Sequence, residues 1–300
     1  MDPSEWHTYT WDEEELNALK NIGLTRTGQP MDRYEFLWMA LDDQGVPFVV
    51  KLMKSYSPEL AALRKLRSLS SPRNIFVPGR LLECSKSCLY VMPQLPDLRY
   101  AWAASVTFKQ LLDDLYKLID MIQFMHENSM AFIDIWQDNA LYSVDGFVYR
   151  ELGFDIPPRS LYLIDLGSVR MLPSGPGSGI KITDWDSRRG KLPPPEGKDL
   201  VDPYGYDVYM LSDLLATYAR GWERAHFANP SHIPRSIMRF AREIKFLDSK
   251  KRPSVFTLRR QFSALRVWMT CTTWVYKVFP TVVADAINTY GWKIIASFVP

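Results

Sequence analysis

Apolar and polar positions alternate along this chain in two regimes, one with the period of a strand and one with that of a helix. The strand regime opens with Tyr34-Glu35-Phe36-Leu37-Trp38-Met39-Ala40-Leu41, the turn signal Asp42-Asp43-Gln44-Gly45, and Val46 to Met53. Two apolar runs about an Asp/Gly turn predict a β-hairpin. Ile75-Phe76-Val77-Pro78 and Leu89-Tyr90-Val91-Met92-Pro93 predict further short strands, the second closing in a proline as a connector would. Between them, Ser57-Pro58-Glu59 opens a helix with Ser57 as N-cap and Pro58 at the first helical position. Leu60, Leu63, Leu66 and Leu69 line its apolar face.

Near residue 95 the texture turns helical. Phe108, Leu111, Leu115, Leu118, Ile122 and Met125 alternate steps of three and four behind Thr107 as cap, predicting a helix that ends about Glu127-Asn128. Ala140 to Ser143 and Gly146 to Tyr149 predict a hairpin, and a proline-bearing insert at Asp155 to Pro158 delays the strand that delivers Asp165. Residues 168 to 193 lack an apolar period and predict a long surface loop. Tyr206 to Tyr218, Ile237 to Leu247 and Ser254 to Leu265 predict helices. Trp268 to Pro300 is apolar and aromatic and predicts one or two helices packed on the helical half. Basic residues there are too sparse for a strong membrane-surface helix. Residues 1–30 form an acidic extension in which Asp12-Glu13-Glu14-Glu15 opens a short helix; a charge run of this kind reads as a solvated cap or arm, without chemistry.

Composition narrows the picture only modestly. The 300 residues are 47% hydrophobic, enough for one large domain or two lobes. Net charge is +2, from 36 basic and 34 acidic residues, so no strong field points to nucleic acid or an anionic membrane. Cys84, Cys88 and Cys271 are an odd count without metal spacing, which fits a reducing, intracellular setting, cytoplasmic or nuclear. Met1 to Asp12 lacks the pattern of a signal peptide. No stretch reaches the roughly 18 uncharged apolar residues of a membrane span, because Lys277, Asp285 and Lys293 interrupt the C-terminus.

Candidate chemistry concentrates in Phe132-Ile133-Asp134-Ile135-Trp136-Gln137-Asp138-Asn139 and in Leu161-Tyr162-Leu163-Ile164-Asp165-Leu166-Gly167. An Asp such as Asp134 can accept the proton of a hydroxyl nucleophile, while Asn139 and Asp165 can hold Mg²⁺ against phosphates. Lys51, between Val50 and Leu52, is costly in a strand unless its ammonium meets a partner or an anion, or snorkels from an edge. Glu59 either complements the helix dipole or pairs with Lys51. His126 reads as a structural hydrogen-bonding residue.

In this order the motifs resemble a eukaryotic protein kinase, more narrowly the divergent protein-kinase-like domains of mushroom-forming fungi, from about residue 31 to 265. Lys51 matches the nucleotide-anchoring lysine and Glu59 its helical partner. Pro72-Arg73-Asn74 resembles a linker of the fungal group, and Leu89 to Pro93, with Val91 and Met92, the nucleotide-binding hinge. Asp134 and Asn139 keep the catalytic-loop spacing, and Asp165-Leu166-Gly167 stands for Asp-Phe-Gly. Pro194-Pro195-Glu196, the Asp207 helix and Arg252-Pro253-Ser254 resemble the structural motifs of the large lobe, where Glu196 and Arg252 would form an ion pair.

The resemblance implies an α+β, bilobal protein-kinase-like fold: an extension at 1–30, a small antiparallel β-rich N-lobe with one helix at 31–95, a larger helical C-lobe at 96–265, and an apolar extension at 266–300. It implies ATP and Mg²⁺ as cofactors, and a protein substrate phosphorylated on Ser or Thr, with no nucleic acid and no transmembrane segment. Three departures bear on function. Phe132-Ile133 replaces the His-Arg of the catalytic loop, Trp136 replaces its lysine, and no Gly-rich phosphate loop precedes Lys51. A pseudokinase binding module and a small-molecule phosphotransferase of the choline or aminoglycoside kinase type are therefore carried as alternatives.

Overall fold

The computed structural model describes residues 10–31, 36–98, 106–144, 154, 156–183, 185, 192–225, 234–245, 248–272, 275–279 and 281–298. The chain is of the α+β class, with an antiparallel five-stranded sheet and helices segregated along the sequence. It divides into two compact units. One holds the described residues of Met1–Ser70, Phe76–Pro96 and Tyr142–Leu166, the other those of Ser71–Ile75, Asp97–Leu141 and Gly167–Pro300. The described residues of 142–166 thus cluster with the sheet rather than with the helical half.

In the first unit, β1 (Thr25–Pro30), β2 (Leu37–Leu41), β3 (Pro47–Lys54), β4 (Arg80–Glu83) and β5 (Ser87–Pro93) lie in the order β1-β2-β3-β5-β4. The β2–β3 hairpin forms because Asp42 Oδ1 accepts the N–H groups of Gln44 at 2.9 Å and Val46 at 2.7 Å. Gly45, at φ +80°, closes the turn in a conformation that favours glycine. Tyr34 and Glu35, expected in this hairpin, lie outside the described residues. Strand β5 is buried along its whole length.

Helix α2 (Pro58–Ser68) starts as its sequence dictates, Ser57 Oγ accepting the Leu60 N–H at 3.2 Å. Its face of Leu60, Leu63 and Leu66 is buried. The strand expected at Ile75–Pro78 does not form. Phe76 makes only an isolated bridge to Leu163, and Val77 N–H donates to the Leu163 carbonyl at 2.9 Å. The prolines and the preceding turn leave too few donors for a ladder.

The N-terminal segment corrects the expectation of a solvated arm. Helix α1 (Glu13–Lys20) is closed by a capping box between Asp12 and Glu15. Glu15 is fully buried and accepts a hydrogen bond from Ser87 Oγ, while Glu14 accepts the Ser85 N–H at 3.0 Å. Trp11 packs edge-on against Trp38 at 5.8 Å, and the Arg26 guanidinium lies 4.1 Å from the Trp38 ring and 4.9 Å from that of Trp11. A charge run whose fourth acid points inward docks when cap and hydroxyl satisfy that acid. β1, inside the nominal extension, is an edge strand of the sheet.

In the second unit, α3 (Phe108–Glu127) carries the predicted period, with Thr107 Oγ1 accepting the Gln110 N–H at 3.2 Å. Then come β6 (Met130–Ala131), β7 (Ala140–Tyr142), β8 (Leu161–Leu163, with the sheet unit) and β9 (Arg170–Met171), β6 and β9 pairing antiparallel. Helices α4 (Pro203–Ala225), α5 (Pro234–Ile244), α6 (Val255–Cys271), α7 (Val275–Val278) and α8 (Thr281–Phe298) follow. The expected strand at 146–149 and the insert residue Asp155 lie outside the described residues, as does Trp274.

The segment 266–300 is not an appendage. α6 runs on to Cys271 and α8 packs back on α6 and α5. Gly291 permits this approach, since a Cβ there would stand 2.1 Å from the Trp268 ring. Trp292 is buried, edge-on to Phe240 at 5.5 Å, and Phe240 meets Phe262 at 5.6 Å.

Candidate functional site

Lys51 sits on β3, which has β2 on one side and β5 on the other, so it is not an edge-strand lysine. Its ammonium turns instead to two carboxylates. Nζ lies 2.5 Å from Glu59 Oε1, in the first turn of α2, and 2.9 Å from Asp165 Oδ1, two residues beyond β8. Lys51 and Glu59 are 17% and 18% exposed and Asp165 is 44% exposed, so one end of this cluster faces solvent.

The electrostatics follow from that placement. Burial alone would lower the Lys51 ammonium, but the carboxylates of Glu59 and Asp165 outweigh it and hold it above the usual lysine range. Burial pushes the Glu59 carboxyl up, with Asp165 adding to the rise and Lys51 opposing it. Asp165 reaches its position through a left-handed backbone at φ +64°, which Asp tolerates better than most residues. Val91 and Met92, the expected hinge residues, lie on β5 opposite Val50 and Val49 and are buried.

In the second unit, a 3₁₀ turn at Gln137–Asn139 brings the Asn139 amide back onto Asp134. Asn139 Nδ2 donates to the Asp134 carbonyl at 2.9 Å and to Oδ2 at 3.0 Å. That leaves the Asn139 side-chain carbonyl oxygen as a hard donor for a cation. The clasp sits on a strained backbone, because Ile133 adopts φ +69°, a genuine outlier for a β-branched residue.

Asp207 of α4 holds that strain in place. Fully buried, it accepts the N–H of Phe132 at 2.8 Å on Oδ2 and that of Ile133 at 2.7 Å on Oδ1. His126 Nε2 lies 2.9 Å from the same Oδ2, so His126 is a structural hydrogen-bonding residue. Phe132 and Ile133 are buried and apolar, and Trp136 is partly exposed.

Glu196 and Arg252 meet as the resemblance implied. Arg252 Nη2 donates to Glu196 Oε2 at 2.6 Å and Nη1 to Oε1 at 3.2 Å, a two-pronged pair. The Arg252 side chain is wholly buried, and its guanidinium also lies 5.2 Å from the Tyr209 ring.

One polar cluster escaped the sequence reading. Arg73 binds Asp120 at 3.0 Å and Glu127 at 2.5 Å, and Arg259 reaches the same Asp120 at 2.6 Å. Its signal was present, since Asp120 interrupts the apolar run Leu118-Ile119 to Met121-Ile122. Pairing it with Arg259 needed the fold. Among the described residues no group of three or more His, Cys, Asp and Glu side chains gathers as a metal site. A magnesium ion bound mainly through nucleotide phosphates requires only one or two carboxylates, so the donors present fit such an ion. No family model matches the chain, and no curated protein matches it significantly.

Proposed function

We propose that the protein binds Mg²⁺-ATP and transfers its terminal phosphoryl group to a Ser or Thr hydroxyl of a protein, in the manner of a protein kinase. The sheet unit would serve as N-lobe and the helical unit as C-lobe. What carries the proposal is the Lys51 cluster. A lysine in a strand interior, gripped by carboxylates from a helix and from the end of a distant strand, is a fixed cation of the kind that anchors nucleotide phosphates. Asp165, the most exposed of the three, supplies a hard oxygen for Mg²⁺.

In the helical unit, Asp134 would orient or deprotonate the hydroxyl, with Asn139 fixing its carboxylate. The Glu196–Arg252 pair supports the protein-kinase branch over a small-molecule phosphotransferase, because it belongs to that resemblance. Titration of Mg²⁺-ATP into wild type and Asp165→Asn tests the binding half, with saturable binding expected for wild type and loss in the variant. Asp134→Asn should abolish radiolabel transfer and leave nucleotide binding intact. Absence of nucleotide binding at millimolar ATP would sink the enzyme reading.

A second reading is favoured by one observation. Phe132, Ile133 and Trp136 put no cation where the resemblance calls for Arg and Lys. A donor near the transferred group is worth about 10²- to 10³-fold. A protein that binds Mg²⁺-ATP and shows no transfer would be a pseudokinase binding module.

A further inference from the structure

Helix α8 is apolar on more than the face it buries. Ala284 and Trp292 pack inward, yet Val282 is 80% and Ile294 65% exposed, with Val283, Tyr290 and, at the α7–α8 corner, Val278 and Phe279 also exposed. A helix apolar all round is ordinarily buried all round. An outward apolar strip of this kind, comparable to the largest patch of an ordinary monomer, is often functional.

Within its own sequence α8 has one base, Lys293, and one acid, Asp285. The fold adds cations from elsewhere. Helix α5 carries Arg235, Arg239 and Arg242 against the single acid Glu243. The Arg239 guanidinium lies 5.0 Å from the Tyr290 ring, and Lys293 Nζ lies 3.0 Å from Glu243 Oε1, which also takes Arg239 Nε at 3.2 Å. Exposed Arg242 stands one turn along the same helix. At the strip's edge Arg239 and Lys293 share the single acid Glu243, so that edge is net positive, with Tyr290 at the boundary.

We propose that the α5–α8 face docks on an anionic membrane surface. Val282, Val283 and Ile294 would enter the acyl boundary, Tyr290 would sit at headgroup level, and Arg239, Arg242 and Lys293 would meet lipid phosphates and carboxylates. The apolar strip of α8 is by itself small for the seat of a second copy of the chain. An 18-residue helix offers a strip about 27 Å long and 10 Å wide. That is roughly 300 Å², well below the about 800 Å² per partner of a standard interface. No described helix is long and apolar enough to cross a membrane, so the contact is peripheral. It is independent of nucleotide binding.

The test is flotation of the full chain with vesicles of phosphatidylcholine alone or mixed with phosphatidylserine. Wild type should float only with the mixed vesicles and lose binding as salt rises. Val282→Asp with Ile294→Asp should weaken binding at least about tenfold, and Arg239→Gln or Arg242→Gln about fivefold each. Thermal unfolding checks that the variants fold, and Val282→Ser with Ile294→Ser, expected to weaken binding in the same direction, replaces the Asp pair if they do not. No binding to the mixed vesicles, equal binding to phosphatidylcholine alone, or insensitivity to the apolar substitutions would overturn the proposal. So would a wild-type dimer in sedimentation that these substitutions dissociate, which would make the strip a protein interface.

Discussion

The carboxylate of Asp207 accepts the backbone N–H of Ile133 at 2.7 Å, from a fully buried position one helix away in the chain. A left-handed β-branched residue costs about 1–3 kcal/mol, and persists where its surroundings over-determine it. The two N–H bonds that Asp207 accepts do that for the loop bearing Asp134. Asp207→Ala should therefore strand two buried donors, each costing about 1–3 kcal/mol, and destabilise the helical unit by more than Asp207→Asn, which keeps one acceptor. Urea unfolding of both variants measures the difference; equal losses would remove Asp207 from this role.

Lys51→Met removes the ammonium that Glu59 and Asp165 share. Breaking such a pair from one side costs about 3–5 kcal/mol at full burial, and less here because the Asp165 end is open to solvent. Glu59→Gln in the same background should recover part of the loss by removing like-charge repulsion. A double-mutant cycle in thermal unfolding reads this coupling; additive effects would contradict it.

Arg252→Ala leaves Glu196 without its partner and opens a void beside Tyr209, so a loss of about 3–5 kcal/mol is expected. The double variant Arg252→Met with Glu196→Gln should be milder than Arg252→Ala. Chemical denaturation of the three proteins decides.

The thiols should separate by reactivity. Burial, then Glu14 and Glu15, push Cys84 up from an ordinary 9.0 to about 11, and burial with Glu83 pushes Cys88 up to about 12. At pH 8 a thiol at 11 is about one part in a thousand thiolate, so exposed Cys271 should react first with an aromatic disulfide. Because both folded-state values are raised, their stabilising contribution is complete below pH 9 and is lost as pH rises through about 11 to 12. Three equally fast thiols at pH 8 would refute the assignment.

Gly291→Ala drives a methyl group into the Trp268 ring, where the gap is 2.1 Å. Overpacking of this kind costs about 1–3 kcal/mol. The expected signature is a changed indole fluorescence together with a lower melting temperature, while Ala284, already buried, marks a position where Ala fits.

Local chemistry carried most of the elements into the sequence. The caps Ser57 and Thr107, the Asp42–Gly45 turn and the periods of α2 and α3 are short-range physics, and they form as read. β1 and β4 were not legible, because Thr25–Pro30 and Arg80–Glu83 have little apolar alternation and are edge strands held by neighbours. The docking of α1 was hidden for a related reason. A run of four acids looks solvated until Ser87, 72 residues from Glu15, supplies the hydroxyl that lets one of them turn inward.

By itself the sequence determined where helices and turns begin, and which lysine, carboxylates and amide were the residues to watch. Only the tertiary structure decided what those groups face. Lys51 meets Asp165 across 114 positions and Ile133 meets Asp207 across 74. The apolar strip of α8 likewise gains a cation, Arg239, from another helix. Charge and hydrogen bonding act through space, whereas capping and periodicity act along the chain, and so only the latter can be read residue by residue.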